Sequence, residues 1–321
     1  MNVRYRRRHF ANLLGVTERK LAEAETKPEL AELEGGPDDY GPRHLSLYRE
    51  ALGRRPSPRP VRRQLFLNFK GGTGKTSLSV AYAYRLAERG HRVLLIDLDS
   101  QGHATQNAGY EGEHFERTLY DVLVNRLPIR EALVDTPLAE FDLLPANLGM
   151  STIELALMPM AGREYKLKKA LDEVVEDYDF IVMDAPPSFG LLNLNALIAT
   201  DDLFVPVLPD FLSFHGLKLL FETLGGLEED LDHTLQRIFI VLNQYNPTTR
   251  IAREARKALE THYPEFLLDT IVRQCTQFAL ASSEGLPITA YDPACKGAKD
   301  IDALIREAMD QPVERAREKS A

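Results

Sequence analysis

The chain has 321 residues, of which 44% are hydrophobic and 27% are charged, and its formal net charge is −9. This is the composition of an ordinary globular protein with room for one large domain and an appendage, and no apolar run reaches the roughly 18–20 residues that a membrane-spanning helix needs. The acidic balance argues against wholesale coating of nucleic acid, and the two cysteines, Cys275 and Cys295, lack the spacing of a metal site and fit a reducing, cytoplasmic compartment.

The charge is unevenly distributed along the chain. Residues 1–63 contain 14 Lys or Arg and 9 Asp or Glu, so a basic arm precedes an acidic body, and any contact with nucleic acid is expected to be local. Residues 1–53 predict a small helical unit, because apolar residues recur at helical spacing over 9–21 around a Gly-Val-Thr turn and Thr17 can cap a second helix.

This layout of helix, short glycine turn and helix is typical of a helix-turn-helix, and residues 44–52 would supply a third helix. Two interpretations stay open: DNA binding, in which basic side chains meet phosphates, and a helical hairpin that serves assembly or partner binding. The candidate phosphate contacts are Arg4, Arg6, Arg7, Arg8, Arg19 and Lys20.

A Pro/Arg-rich stretch over residues 54–63 predicts a linker, since its three prolines favour extended backbone. Residues 64–312 then alternate apolar strand patterns with helical ones, which predicts a doubly wound, mostly parallel sheet with flanking helices. Residues 313–321 form a polar tail, which lacks the apolar face that an interfacial membrane helix needs.

A phosphate-binding loop is predicted where the first strand of this domain ends. Residues 64–77 read QLFLNFKGGTGKTS, an apolar run that breaks into glycines and continues as a helix. Glycines let backbone N–H groups surround an anion, and the helix N-terminus adds its positive dipole. Lys75 would add a charge for the β- and γ-phosphates, and the Thr76 hydroxyl could hold Mg²⁺. The candidate nucleotide contacts are Lys70, Gly71, Gly72, Thr73, Gly74, Lys75, Thr76 and Ser77.

Carboxylates follow two further apolar strands. Asp97 and Asp99 end the run RVLLIDLD, and Asp184 ends the run FIVMD before an Ala-Pro-Pro-Ser segment. Because open α/β sheets place their chemistry at the carboxyl edge, these acids are expected near the phosphate loop. An apolar strand that ends in an acid is the Walker B layout, in which the carboxylate holds Mg²⁺.

These motifs resemble the ParA/MinD family of ATPases with a deviant Walker A motif. The resemblance lies in KGGTGKT at 70–76, DLDSQGHAT at 97–105 and DAPPS at 184–188, and it extends over about residues 64–310. It implies a P-loop NTPase fold with ATP and Mg²⁺ as cofactors. It also implies that Lys70 reaches the partner's nucleotide across a homodimer interface.

The resemblance also assigns the carboxylates and one amide. It gives Asp99 the positioning of the attacking water, and Asp97 and Asp184 the metal site together with Thr76. The catalytic residues would be Lys70, Lys75 and Asp99. Asn243 lies where the family contacts the adenine base, with a simple loop cap as the alternative. The N-terminal unit resembles the MerR-like module found in front of some ParA relatives.

A basic helix follows the last of these motifs. Arg250, Arg253, Arg256 and Lys257 recur every three to four residues, which suits either a non-specific DNA surface or a solvated helix face. Family members keep DNA-binding arginines in this region, and Arg273 stands near a second such position, whereas Gln277 replaces another arginine.

The function that the resemblance implies is an ATPase that dimerises with ATP, binds nucleoid DNA and positions a cargo. A ParB-like or other partner would accelerate its slow hydrolysis of ATP. The cargo could be a plasmid or chromosome, a division site or a protein cluster. The tail without an apolar face separates the chain from the membrane-binding MinD branch. An operator-binding repressor with ATP-controlled dimerisation and a metabolic ATP-dependent enzyme stay open as alternatives.

Overall fold

One eight-stranded sheet organises the computed structural model, which describes residues 3–31, 40–210, 212–231 and 233–312. The strands lie in the order β3-β4-β2-β5-β1-β6-β7-β8, and all neighbours are parallel except β3 and β4. They are β1 (Arg62–Phe66), β2 (Val93–Asp97), β3 (Val134–Asp135), β4 (Phe141–Leu144), β5 (Phe180–Asp184), β6 (Asp202–Val207), β7 (Arg237–Tyr245) and β8 (Leu267–Arg273). The expected doubly wound, mostly parallel sheet is confirmed.

Helices alternate with the strands and cover the sheet. In chain order they are α1 (Arg7–Leu13), α2 (Glu18–Glu25), α3 (Pro28–Ala31), α4 (Pro42–Ala51), α5 (Lys75–Glu88), α6 (His103–Asn107), α7 (Leu119–Leu123), α8 (Ile153–Leu157), α9 (Lys166–Asp172), α10 (Leu191–Ile198), α11 (Leu212–Leu231), α12 (Arg250–His262), α13 (Gln277–Ser283), α14 (Ile288–Tyr291) and α15 (Lys296–Asp310). Short 3₁₀ helices lie at Gly112–His114, Ile129–Ala132, Leu148–Thr152 and Arg163–Tyr165. None of the described helices is both long and apolar enough to span a membrane.

The central strands are buried along their whole length because helices pack on both faces of a parallel sheet. Every residue of β2, β5 and β6 is buried. This packing explains why these strands read as continuous apolar runs. It also brings the carboxyl ends of β1, β2 and β5 side by side, with Asp184 aligned with Phe66 on one side and Asp97 on the other.

Strand β1 begins at Arg62, two residues before the expected start of the domain at Gln64. Arg62 pairs with Asp202, which is fully buried and also binds Arg237 at 2.6 Å. Arg63 pairs with Asp201 at 3.3 Å. The two arginines therefore act as strand residues whose charges are neutralised at the amino edge of the sheet.

The N-terminal unit packs against the sheet domain. Phe10 stacks on Tyr40 with ring centroids 4.2 Å apart, and the Tyr5 and Tyr84 hydroxyls meet at 3.3 Å. Arg49 of α4 is buried and donates to the Glu88 carbonyl oxygen at 2.7 Å, at the C-terminal end of α5. The unit is thus packed on the helix that begins at the phosphate loop.

The expected helix-turn-helix layout appears as α1, a turn with Gly15 at a φ of 65°, and α2. The Thr17 hydroxyl accepts from the Lys20 backbone N–H at 3.2 Å, which confirms the predicted cap. The helix expected at residues 44–52 is α4, which begins earlier, at Pro42, because proline is favoured in the first helical turn. The short helix α3 lies between it and α2. The polar tail at 313–321 lies outside the described residues.

Candidate active site

The phosphate-binding loop connects β1 to α5, and residues at the end of β7 form hydrogen bonds with its backbone. Gly72 and Gly74 have φ values of 74° and 89°, which side chains rarely adopt. The Asn243 amide donates to the Thr73 carbonyl oxygen at 2.7 Å, and a Cβ on Gly74 would overlap that amide. The loop therefore requires glycine at position 74 for both its backbone angle and its contact.

Asn243 accordingly forms the hydrogen bonds to loop backbone that a loop cap would form. Its oxygen accepts from the Gln244 N–H at 2.9 Å, and the Gln244 side chain reaches the Gly72 carbonyl at 3.3 Å. Gln244 itself has a φ of 54°, an unusual angle for a residue other than glycine. A contact between Asn243 and a base stays a prediction.

The two lysines of the loop lie in different environments. Lys75 is buried, and its ammonium donates to the Lys70 carbonyl oxygen at 3.2 Å. Burial lowers the pKa of Lys75, and the nearby carboxylates of Asp184 and Asp99 oppose this effect. The Lys70 side chain is partly exposed, and its ammonium forms an ion pair with Asp210 at 2.8 Å. Of the two lysines, Lys75 thus folds back onto its own loop, whereas Lys70 points to Asp210.

Asp97 organises the turn that carries Asp99. One oxygen of Asp97 accepts from the Asp99 N–H at 3.1 Å, and the other accepts from the N–H and hydroxyl of Thr105, both at 2.8 Å. Burial raises the pKa of Asp97 to about 6, although these hydrogen bonds oppose the shift. Since both oxygens of Asp97 are engaged, its role at a metal stays a prediction.

One carboxylate oxygen of Asp184 accepts no hydrogen bond from the described residues. Its Oδ1 accepts from the Ser79 hydroxyl of α5 at 2.9 Å, whereas Oδ2 is buried and has no hydrogen-bond partner among the described residues. Burial and the adjacent Asp97 raise the pKa of Asp184 to about 7. A buried, unpartnered carboxylate oxygen is the kind of ligand that a hard cation such as Mg²⁺ prefers, so the site fits a metal.

A cavity of about 370 Å³ opens beside the phosphate loop. Its walls include Gly74, Ser77, Asn243 and the segment Arg273–Thr276, so it lies next to the predicted phosphate cradle. Arg273 does not project freely from this wall. Its guanidinium binds Asp300 of α15 at 2.6 Å, which neutralises the charge that a DNA contact would use.

The basic helix α12 is capped by Thr249 and exposes most of its charges. Arg250 and Arg256 are paired with acids one turn later, at 2.6 and 2.7 Å, and Arg253 donates to the Pro247 carbonyl at 2.8 Å. Lys257 is exposed. Exposed pairs of this kind contribute little to stability and break readily, so both the DNA surface and the solvated face stay open.

Four residues of this site were not singled out from the sequence: Ser79, Thr105, Asp210 and Gln244. Two of them could have been found from the sequence. Thr105 lies in the DLDSQGHAT segment, and Asp210 lies in the loop after β6, which ends at Val207 at the carboxyl edge of the sheet. Ser79 and Gln244 carried no comparable signal, since their partners are distant in the chain.

Comparisons with known proteins agree with this geometry. A family model described as an AAA domain matches residues 63–237, more than half of the chain. The chain is similar to the cell division protein PomZ of Myxococcus xanthus (strain DK1622), with 59% identity over 301 residues that cover 94% of this chain and 91% of PomZ. It is also similar to the chromosome-partitioning ATPase Soj of Treponema pallidum (strain Nichols), with 34% identity over 245 residues, 76% of this chain and 96% of Soj.

A solved structure shares the architecture. Cobyrinic acid a,c-diamide synthase from Mycobacterium smegmatis, with bound ADP and magnesium, is 29% identical, has a TM-score of 0.66, and matches over 80% of this chain and 99% of its own. Together with the phosphate loop and its carboxylates, these similarities show that the chain belongs to the ParA/MinD family of P-loop ATPases.

Proposed function

We propose that the chain is an ATPase that forms a homodimer with ATP, binds DNA non-specifically as that dimer and positions a cargo. The observation that carries this proposal is the separation of the two loop lysines. Lys75 is buried in the anion cradle, whereas the Lys70 ammonium lies outside it on Asp210. A lysine that is not needed for its own nucleotide is free to serve that of a second subunit.

The residues of the site divide the chemistry between them. The loop N–H groups and Lys75 bind the phosphates, and the Thr76 hydroxyl and the free oxygen of Asp184 would hold Mg²⁺. When bound, Mg²⁺ neutralises the negative charge that develops on the transferred phosphoryl group. Asp99 is fixed by Asp97 and by its own bond from the Gln101 N–H at 3.0 Å, which suits it to orient a water molecule.

The DNA surface is proposed on α12. Its exposed basic residues need only lose weak surface pairs to meet phosphates, and a dimer doubles the number of such contacts. Affinity for DNA then rises with dimerisation and falls with salt. The exposed residues of α2, by contrast, include Glu18 and Glu23 beside Arg19 and Lys20, so this helix offers no uniformly basic face.

The relatives suggest the class of cargo. PomZ is named for cell division and Soj for chromosome partitioning. We infer that this chain works in the same way with a protein partner, ParB-like or otherwise, that stimulates its slow hydrolysis of ATP. A nucleoid-associated gradient of the dimer would then position the cargo.

The experiment is a salt series of binding to random-sequence DNA, with ATP and with ADP. The parent and the Asp99→Ala variant should bind at least about tenfold more tightly with ATP, with a steeper salt dependence for the dimer. Lys75→Ala should lose this difference, and a Lys257→Glu variant should weaken binding without affecting dimerisation. Equal binding with ATP and ADP would contradict the proposal, and a defined footprint at one operator would favour a repressor.

A further inference from the structure

An ion pair between two loops fixes the side chain of Lys70. The Lys70 ammonium lies 2.8 Å from Asp210 Oδ2, although the two residues are 140 positions apart. Asp210 follows β6 and precedes α11, so its loop lies beside the phosphate loop at the carboxyl edge of the sheet. The pair thus connects the start of the phosphate loop to the start of a long helix of the same subunit.

Further hydrogen bonds hold both residues of this pair in place. The other oxygen of Asp210 accepts from the N–H and hydroxyl of Ser213, at 2.9 and 3.0 Å. On the other side, Asn68 is buried, accepts from the Lys70 N–H at 2.9 Å and donates to the Pro206 carbonyl at 2.8 Å. Although burial alone would raise it, the bonds from Lys70 and Ser213 lower the pKa of Asp210 below its ordinary value.

These hydrogen bonds restrict the conformations of the pair, unlike those of a typical ion pair on the surface. About a third of each side chain is exposed, at 30% for Lys70 and 35% for Asp210. The pair is therefore accessible to a competing anion from outside the subunit.

We propose that Asp210 is an intrasubunit latch that holds Lys70 back from the dimer interface. This inference rests on the proposed function, in which Lys70 serves the nucleotide of a second subunit. Lys70 then exchanges one carboxylate for the phosphates of the partner's nucleotide. A triphosphate carries more negative charge than a diphosphate, so it competes better with Asp210 and makes release of the latch selective for ATP.

The size of the effect follows from the exposure of the pair. A partly exposed ion pair contributes about a two- to threefold factor to an equilibrium. A symmetric dimer must open two latches, so removing them should tighten dimerisation by about four- to tenfold. Replacement of Asp210 by Asn keeps an oxygen for the Ser213 N–H, so the loop should retain its fold.

The experiment measures the dimer dissociation constant by sedimentation, with a non-hydrolysable ATP analogue and Mg²⁺. Asp210→Asn should dimerise about four- to tenfold more tightly than the parent, whereas Lys70→Ala should stay monomeric both alone and combined with Asp210→Asn, so that the gain requires Lys70. Glu222→Gln removes one exposed charge from the same helix, α11, and should leave the constant unchanged. Asp210→Ala is a second variant with the same expected direction.

The outcomes separate the latch from the proposed function. A parent that dimerises and an Asp210→Asn variant that dimerises equally well or more weakly would overturn the latch alone. The weaker result would show that Asp210 positions Lys70 for the partner instead of holding it back. A parent that stays monomeric at every concentration with the analogue would overturn the proposed dimer, and the latch with it.

Discussion

The Ser79 hydroxyl donates a hydrogen bond to Asp184 Oδ1 at 2.9 Å, and this bond ties the phosphate-loop helix to the carboxylate at the end of β5. It holds the Asp184 carboxylate in one orientation while leaving the buried Oδ2 unpartnered. The carboxylate that we propose as a metal ligand is thus oriented by the same helix that begins at the predicted phosphate-binding loop.

Replacing Ser79 with Ala should reduce the contribution that Mg²⁺ makes to the affinity for ATP. Loss of the donor raises the pKa of Asp184 further, because the hydrogen bond favours the charged form. We expect affinity for ATP with Mg²⁺ to fall by about three- to tenfold, while binding measured in EDTA changes little. Calorimetric titrations under both conditions test this, with Ser283→Ala as an exposed control. An equal loss with and without Mg²⁺ would show that Ser79 acts on the loop and not on the metal ligand.

Gly74→Ala should disrupt the phosphate loop through Asn243. The new Cβ would displace the Asn243 amide from the Thr73 carbonyl and strain a backbone with a φ of 89°. We expect nucleotide affinity to drop by at least about tenfold and stability to drop by about 2 kcal/mol.

A double-mutant cycle identifies the cause of that loss. In an Asn243→Gly background the clash is gone, so Gly74→Ala should cost only its backbone strain, about 1 kcal/mol. Gly71→Ala meets no neighbour within 4 Å and is the matched control for stability. Additive losses of the two substitutions would rule out the contact as the mechanism.

Arg49→Ala should destabilise the whole protein, because the N-terminal unit is packed on the end of α5. The substitution leaves the Glu88 carbonyl and the Glu140 carboxylate without their buried partner, at a cost of about 3–4 kcal/mol. Chemical unfolding of the variant and of Arg43→Ala, an exposed position on the same helix, measures this. Two separate transitions in the parent, or a cost below about 1 kcal/mol for Arg49→Ala, would mean that the unit is an independent appendage.

His9 should make the same interface sensitive to acid. Burial and the Arg85 guanidinium lower its pKa from 6.5 to about 4, with Asp302 opposing. The unfolded chain therefore binds a proton that the folded chain does not, and stability is lost as pH falls from about 6.5 towards 4. The raised pKa values of Asp97 and Asp184 act in the opposite sense, since they cost stability as pH rises.

Comparison with His9→Gln isolates this effect from the carboxylates. Relative to the variant, the parent should lose about 1–2 kcal/mol between pH 6.5 and 4, a figure reduced for partial exposure. Urea unfolding at several pH values gives the difference directly. If the difference in unfolding free energy between the parent and His9→Gln does not change with pH, a group other than His9 is responsible for the acid sensitivity.

The sequence predicted the central sheet and its catalytic edge because those signals are local. The phosphate loop, the acids after β2 and β5, and the order of strands and helices each depend on residues that are close together in the chain. The structure confirms β2 as a buried strand that ends in Asp97, and β5 as one that ends in Asp184.

Other features could not be predicted because they depend on contacts between distant segments. Arg49 reads as an exposed charge of a basic arm, and only the packing of α4 on α5 buries it. Asp210 reads as a turn residue until the sheet brings it to Lys70. The start of β1 at Arg62 depends on ion pairs with Asp201 and Asp202, which are distant in the chain. The local sequence, rich in Pro and Arg, instead resembles a linker.

The dimer bridged by Lys70 is tested most directly by the mass of the Asp99→Ala protein in solution with ATP and Mg²⁺, measured by sedimentation beside the Lys70→Ala/Asp99→Ala protein. We predict a dimer with ATP and a monomer with ADP for Asp99→Ala, and a monomer in both for the double variant. A double variant that dimerises with ATP as well as Asp99→Ala does would contradict the role of Lys70 across the interface.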